Sequence, residues 1–273
     1  MPLSVNNSRV HIPIEKFSIE GSKRSWDFIA SEEALHIRIE WGTIKKRKEK
    51  TLAFLMRTPG DDFALVIGFL FSEGVINTYS DIADIVTNQN SARVKLKPYL
   101  RPIFSQSERF SFSASSCGMC GKTSNPLAFN CYPAVSLTRN QVNASLFYGL
   151  PDKMREYQIN FNQTGGLHAS AFFDSSGSLL ALKEDVGRHN ALDKLIGNQL
   201  QSENPMPSIL LLSGRVSVEI IQKAAKAAIS IIAAIGAPSS LAVEHADKFD
   251  LTLIGFLKHN TFNLYSGGHR IVW

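Results

Sequence analysis

Residues Ile209-Leu210-Leu211-Leu212 are apolar without interruption, and Ser213-Gly214-Arg215 follow at once. A run with no polar face is what a strand covered on both sides requires, the condition of a central strand in an α/β sheet. The segment beyond it predicts a helix over about 218–235, with Ser217 at the N-cap, Val216 stapled to Ile221, and Gly236 and Pro238 ending it. Around this unit the pattern alternates. A helix begins near Thr138 and is disturbed at Pro151. Strands follow at 168–173 and 179–182, joined by the turn signal Asp174-Ser175-Ser176-Gly177. A short helix runs from about 188 to 196, and a further helix lies at about 240–248. Strands at 251–256 and near 262–265 close the chain. Such an alternation implies a three-layer α/β/α domain around a mixed sheet.

The first part of the chain reads differently. Strands are expected at 35–41 and 51–57. An amphipathic helix then runs through Phe63, Leu65, Val66, Phe69 and Leu70, with Asp61 and Asp62 at its positive end and Gly74 as its C′ residue. Strands at 83–87 and 91–97 follow. These pieces form a smaller α+β domain over 1–105, and residues 137–273 form the larger domain. The 273 residues allow such a division, and 44% hydrophobic with 19% charged residues is the balance of a globular protein with a proper core.

In open α/β sheets, ligands bind beyond the carboxyl ends of the strands. Ser213, Gly214 and Arg215 stand at such a point, before a helix N-terminus whose free N–H groups attract anions. Thr164 and Gly165, in Thr164-Gly165-Gly166-Leu167-His168, form a second small loop. Asp185, Arg188 and His189 belong to a third, and Phe256, Lys258 and His259 lie past another strand end. Each has an ordinary structural explanation. Asp185 can cap a helix, His189 can pair with Asp193 one turn on, and Gly165-Gly166 can be a turn. Four such loops in one α/β domain point to a phosphate-bearing, nucleotide-like ligand.

Between the two parts lies Ser115-Ser116-Cys117-Gly118-Met119-Cys120-Gly121. Cys117 and Cys120 can share a metal, close a disulfide or pass a sulfur atom. A structural zinc site takes four Cys or His ligands, and this chain has one Cys pair and a solitary Cys131, so no metal is expected unless two chains combine their pairs. A thioredoxin-like site would follow a strand and open a long helix, whereas Gly121-Lys122-Thr123-Ser124-Asn125-Pro126 continues as loop. A mobile reactive loop over 106–136 is the expectation, with Cys131 as a half-buried small hydrophobe.

Three cysteines, an odd number, and an N-terminus without a charged-then-apolar pattern point to a reducing cytoplasm. The apolar stretches break too early to span a bilayer. The net charge of +5 is modest, and Lys45-Lys46-Arg47-Lys48-Glu49-Lys50 reads as a solvated hairpin connection. Without aromatic interleaving it makes no nucleic-acid patch.

Several blocks together resemble one family. They are Arg57-Thr58-Pro59-Gly60-Asp61-Asp62, Gly68-Phe69-Leu70-Phe71-Ser72-Glu73-Gly74, the cysteine block, Thr164–His168, Glu184–Lys194, Ser213–Arg215 and Phe262–Tyr265. In this order, from about residue 35 to the C-terminus, they resemble the formate dehydrogenase accessory sulfurtransferase family, FdhD. The resemblance implies a cytidine-deaminase-like second domain, without deaminase chemistry. It implies a sulfur carrier that accepts persulfide sulfur from a cysteine desulfurase and delivers it to the molybdenum cofactor destined for formate dehydrogenase. The cofactor, as bis-molybdopterin guanine dinucleotide, would be a bound substrate, with a guanine nucleotide as its recognisable fragment. A homodimer is expected. Cys117 and Cys120 would carry the sulfur, in an order the sequence does not rank. Two other classes stay open: a non-catalytic chaperone that holds the cofactor, and a metal-stabilised structural protein.

Overall fold

The computed structural model describes residues 8–102, 141–202 and 204–273. In chain order the elements are β1 (Arg9–Ser18), β2 (Gly21–Ala30), β3 (Glu33–Thr43), β4 (Lys46–Arg57), α1 (Asp62–Ser72), β5 (Ile82–Asn88) and β6 (Ser91–Leu96). After the undescribed stretch come β7 (Val142–Asn143), α2 (Ser145–Tyr148), α3 (Leu150–Tyr157), α4 (Ile159–Thr164), β8 (His168–Phe173), β9 (Leu179–Asp185) and α5 (Arg188–Gln201). The chain ends with β10 (Ile209–Leu212), α6 (Val218–Lys226), β11 (Ile231–Ala234), α7 (Ser240–Lys248), β12 (Thr252–Lys258), β13 (Thr261–Ser266) and β14 (Ile271–Val272).

The larger sheet has the order β13-β12-β11-β10-β8-β9. β10, β11 and β12 run parallel, and β8, β9 and β13 pair antiparallel at the flanks. All four residues of β10 and of β11 are buried, as two-sided cover demands. Alternation assigns their side chains to two cores. Leu210, Leu212, Ile232 and Ala234 join Leu192, Ile220 and Ala242 of α5, α6 and α7. Ile209, Leu211, Ile231 and Ala233 join Phe147, Leu150 and Met154 of α2 and α3. The expected three layers around a mixed sheet are therefore present.

The smaller sheet, β4-β3-β6-β5, buries Leu35, Ile37 and Ile39 of β3 and Val94 and Leu96 of β6 in the same core as α1 and α5. The two helices meet backbone to backbone. A Cβ added at Gly68 of α1 would collide with the Asp193 carbonyl of α5, and one at Gly197 of α5 with the Ala64 carbonyl of α1. Glycine at both crossing points brings the helices closer than side chains permit, and one core runs from one sheet to the other. The boundaries expected at 105/106 and 136/137 fall outside the described residues.

Three helices end alike. Gly74 after α1, Ala228 after α6 and Asp250 after α7 have φ of +76°, +59° and +55°. In each the next N–H reaches back to the helix: Val75 to Leu70, Ile229 to Ala224, and Leu251 to Ala246, at 2.8–3.0 Å. This is the Schellman closure. It corrects the reading of one helix over about 218–235. α6 stops at Lys226, and Ile231–Ala234 is a parallel strand at the heart of the sheet. Ser217 does occupy the N-cap, but its hydroxyl makes no capping bond. The basic run is also corrected, since 46–50 lies within β4 and only the turn before it is connection. The start near Thr138 lies outside the described residues; among them helix begins at Ser145. The β1–β2 hairpin has no counterpart in the sequence reading.

Candidate functional site

The carboxyl ends of β10, β11 and β12 open on one side of the sheet, and β8 begins there because it runs the opposite way. Small residues let the loops close on one another. A Cβ at Gly214 would lie 3.0 Å from His168 Nδ1 and 3.8 Å from Arg188 Cδ, so imidazole and arginine stem rest on bare backbone. A Cβ at Gly236 would lie 2.7 Å from the Gly214 carbonyl oxygen. The Phe256 N–H donates to the Gly236 carbonyl at 3.1 Å. His168, Gly214, Gly236 and Phe256 thus follow one another across the ends of four strands. Phe256 stands in a bulge with φ +51° and 45% of its surface exposed. A left-handed conformation costs a bulky residue on the order of 1–2 kcal/mol, and such strain gathers at binding sites.

Two helix N-termini converge on the same place. α5 starts with Arg188, the arginine at Gly214, after an N-cap glycine with no side chain to offer. α6 starts after Ser217, whose Oγ lies 3.2 Å from His189 Nε2. Uncapped first turns carry free N–H groups and partial positive charge, the conditions that hold anions. Arg188 Nε is buried without a hydrogen-bond partner among the described residues. An orphaned guanidinium donor beside two helix N-termini suits a phosphate. Arg215 is exposed one residue past Gly214. Burial, reinforced by Arg188, holds the His168 imidazole below the usual histidine range, against a smaller pull from Asp185.

Asp185 lies beneath this cradle and is fully buried. Its carboxylate accepts from the N–H groups of Thr58 at 3.1 Å and Gly187 at 2.9 Å and from Asn190 Nδ2 at 3.0 Å, and it pairs with Lys194 Nζ at 2.7 Å. Lys194 also donates to the Thr58 carbonyl at 2.8 Å. Asp185 therefore faces inward and ties the start of α5 to the end of β4. Arg57, fully buried, grips both carboxylate oxygens of Asp62 at 2.9 Å and fixes that strand end to α1. Asp193, matched to His189 in the sequence, instead accepts from Ser72 and Lys223.

The other expected positions divide. Ser213 Oγ accepts the Ala169 N–H at 2.9 Å and locks β10 to β8. Thr164 Oγ1 donates to the Asn160 carbonyl at 2.8 Å at the end of α4, and Gly165, at φ +65°, caps that helix. Lys258 is exposed at the tip of the β12–β13 hairpin, while His259 Nδ1 lies 3.2 Å from Asp152 of α3. Cys117, Cys120 and Cys131 lie outside the described residues. Gly236, missed in the sequence reading, is the backbone contact that joins Gly214 to Phe256. Its signal was there: Ile231–Ile235 followed by Gly236-Ala237-Pro238 repeats the pattern of β10 and its small-residue turn.

The fold is that of an α/β protein in which two helix N-termini and the buried Arg188 Nε meet at the strand ends of a mixed sheet. The FdhD/NarQ family profile matches residues 30–272, and the chain belongs to that family. The sulfur carrier protein FdhD of Streptomyces coelicolor is 43% identical over 259 residues, spanning 90% of this chain and 89% of the relative. That of Sulfurisphaera tokodaii is 42% identical over 250 residues, spanning 90% and 92%. A crystal structure from Desulfotalea psychrophila, assigned as a formate dehydrogenase accessory protein, superposes with a TM-score of 0.74 at 20% identity. It covers 97% of this chain and 99% of the other, and shows the fold. Among the described residues no helix is long and apolar enough to cross a membrane.

Proposed function

We propose that this chain is a sulfur carrier for the maturation of formate dehydrogenase, working in the cytoplasm, where thiols stay reduced. Its relatives carry the name of that activity. The observation that carries the binding half is Arg188 Nε, buried without a partner among the described residues where two uncapped helix N-termini meet. The cradle's chemistry suits the diphosphate of molybdopterin guanine dinucleotide, with Arg188 and Arg215 as the cationic contacts, His168 beside them and the exposed Phe256 ring as a surface for a flat heterocycle. In the proposal the larger domain keeps the cytidine-deaminase-like arrangement implied by the family.

Sulfur moves through thiols. The Cys117 thiolate attacks the outer sulfur of a cysteine desulfurase persulfide; that S–S bond breaks, the desulfurase thiolate leaves, and Cys117 holds the persulfide. Attack by Cys120 on the inner sulfur then forms a Cys117–Cys120 disulfide and releases the outer sulfur as hydrosulfide toward the molybdenum of the bound substrate. Thiol–disulfide exchange with a cytoplasmic dithiol, which is itself oxidised to a disulfide, returns Cys117 and Cys120 to thiols before the next cycle.

Calorimetric titration with guanosine diphosphate tests the binding half. Arg188→Ala or Arg215→Ala removes a charged hydrogen bond worth about 1.5–3 kcal/mol, roughly a 10- to 150-fold loss of affinity. Equal affinity in wild type and both variants removes these arginines from the site. No binding to wild type refutes the nucleotide reading.

A further inference from the structure

The basic run of the sequence forms one tip of the smaller sheet, and the proposed function makes no use of it. β3 and β4 are joined there by Ile44 and Lys45 alone, since Thr43 pairs with Lys46. Four cations in a row, Lys45, Lys46, Arg47 and Lys48, round the turn. Register divides three of them between the two faces. Lys46 and Lys48 stand opposite Thr43 and Trp41 on one face, and Arg47 stands opposite Gly42 on the other. Gly42, at φ +108°, has no side chain to bar the way, and Arg47 reaches past it to the Leu96 carbonyl at 2.8 Å. That bond brings the end of β6, with Lys97 just beyond it, to the same tip.

Glu40 and Glu49, the carboxylates next to the run, are engaged elsewhere. Glu49 faces Arg38 and Arg93, each at 3.5 Å, and Glu40 pairs with Arg93. Among the described residues the ammonium groups of Lys45, Lys46, Lys48 and Lys97 meet no carboxylate. The apex between these charges is apolar: Ile44 is 84% exposed, and Tyr99, two residues past Lys97, is 68% exposed. A cluster of one sign without counter-ions raises a positive field that draws an anionic surface.

We propose that this tip docks the chain peripherally on an anionic lipid bilayer, with Ile44 entering the headgroup layer and the lysines lying on its charged surface. Three of the four cations in the run are lysines, a residue that protein–protein interfaces deplete. A compact charge on a flexible stem asks for no fixed partner geometry, which suits a diffuse and fluid field of headgroups. A convex tip with an isoleucine at its apex and a tyrosine at its flank enters a soft surface, whereas a protein would have to supply a matching acidic hollow. Each lysine or arginine held near such a surface raises partition about fivefold, so the four of the run together give roughly a thousandfold. None of this depends on the sulfur-carrier reading.

Co-sedimentation of the full chain with vesicles tests it. Wild type should bind phosphatidylcholine vesicles that carry about one-third phosphatidylglycerol and should not bind pure phosphatidylcholine. Raising the salt from about 0.1 M to about 1 M, which cuts the Debye length from roughly 10 Å to 3 Å, should weaken the binding strongly. Replacing two of the charges, Lys45→Gln with Lys46→Gln, should lower the partition roughly 30-fold. Ile44→Ser should lower it roughly tenfold while leaving the salt dependence as in wild type. All three residues sit at or beside an exposed turn, so both variants should keep the wild-type urea midpoint. Wild type that does not bind the anionic vesicles, or binds the neutral ones equally, overturns the proposal. Binding unchanged in the lysine variant places the contact elsewhere and overturns it too. Release by free glycerol phosphate would show a phosphate pocket rather than a surface. Polyglutamate bound as tightly as the vesicles, with Ile44→Ser without effect, would make the occupant an acidic protein; either result refutes the bilayer.

Discussion

Gly197→Ala tests whether the α1–α5 crossing fuses the two sheets. The added methyl would fall on the Ala64 carbonyl oxygen and 2.7 Å from the Gly68 nitrogen, both backbone atoms of α1. No rotamer change clears backbone, so the helices must part, and every side chain packed on either side parts with them. Overpacking a close-packed core costs about 1–3 kcal/mol, and here the upper end applies. Alanine in a helix returns at most about 1 kcal/mol relative to glycine. The net loss is therefore about 2 kcal/mol, a sizeable fraction of the roughly 5–15 kcal/mol that holds a domain folded. Urea unfolding should show a midpoint lower by roughly 1 M. Gly149→Ala is the control: Gly149 joins α2 to α3 at negative φ, and a Cβ there meets nothing within 4 Å. It should gain about 0.4–1 kcal/mol. If Gly197→Ala unfolds at or above the wild-type midpoint, the close crossing is not what holds the sheets together.

Asp185→Ala strands the buried Lys194 ammonium and should cost about 3–5 kcal/mol in the same assay, while Lys194→Met, which leaves Asp185 its three hydrogen-bond donors, should cost less. Burial and the neighbouring Arg188 make the His168 imidazole harder to protonate in the folded chain than in the unfolded one. Its contribution to stability is present above the unfolded-state value near 6.5 and is lost as pH falls through the lower folded-state value, so His168→Gln should flatten the pH dependence of stability in that window. A bound phosphate raises the imidazole's affinity for a proton. Affinity for guanosine diphosphate should therefore rise as the pH falls from 8 toward 6 in wild type and change less in His168→Gln.

Where local chemistry and tertiary position agree, the chain can be read directly. The apolar tetrad of β10, the turn residues after β8 and the glycine closing α1 each announced their element. α6 shows the opposite case. Ala224-Ala225-Lys226-Ala227-Ala228 continues a helix by propensity, and the closure is made by Ala228 in a left-handed conformation, with no glycine or proline to mark it. The sheet's demand for a parallel strand at Ile231 overrides the local preference. β1 alternates Val10, Ile12 and Ile14 with His11, Pro13 and Glu15, but neither face of the hairpin is fully buried, and Pro13 argues against a strand until it is seen on an open edge. The strand-end loops themselves were legible. That Asp185 and Ser213 turn inward to hold them, and that Gly236 joins them through backbone alone, was not.

Intact-mass spectrometry after incubation with a cysteine desulfurase and cysteine tests the sulfur-carrier account most directly. It should show wild type gaining one sulfur atom, removable by a thiol reductant, with peptide mapping placing it on Cys117. Cys117→Ala should stay folded, gain no sulfur there and fail to support formate dehydrogenase activation. A wild-type chain that gains no sulfur, or a Cys117→Ala chain that activates the enzyme as well as wild type, contradicts the account.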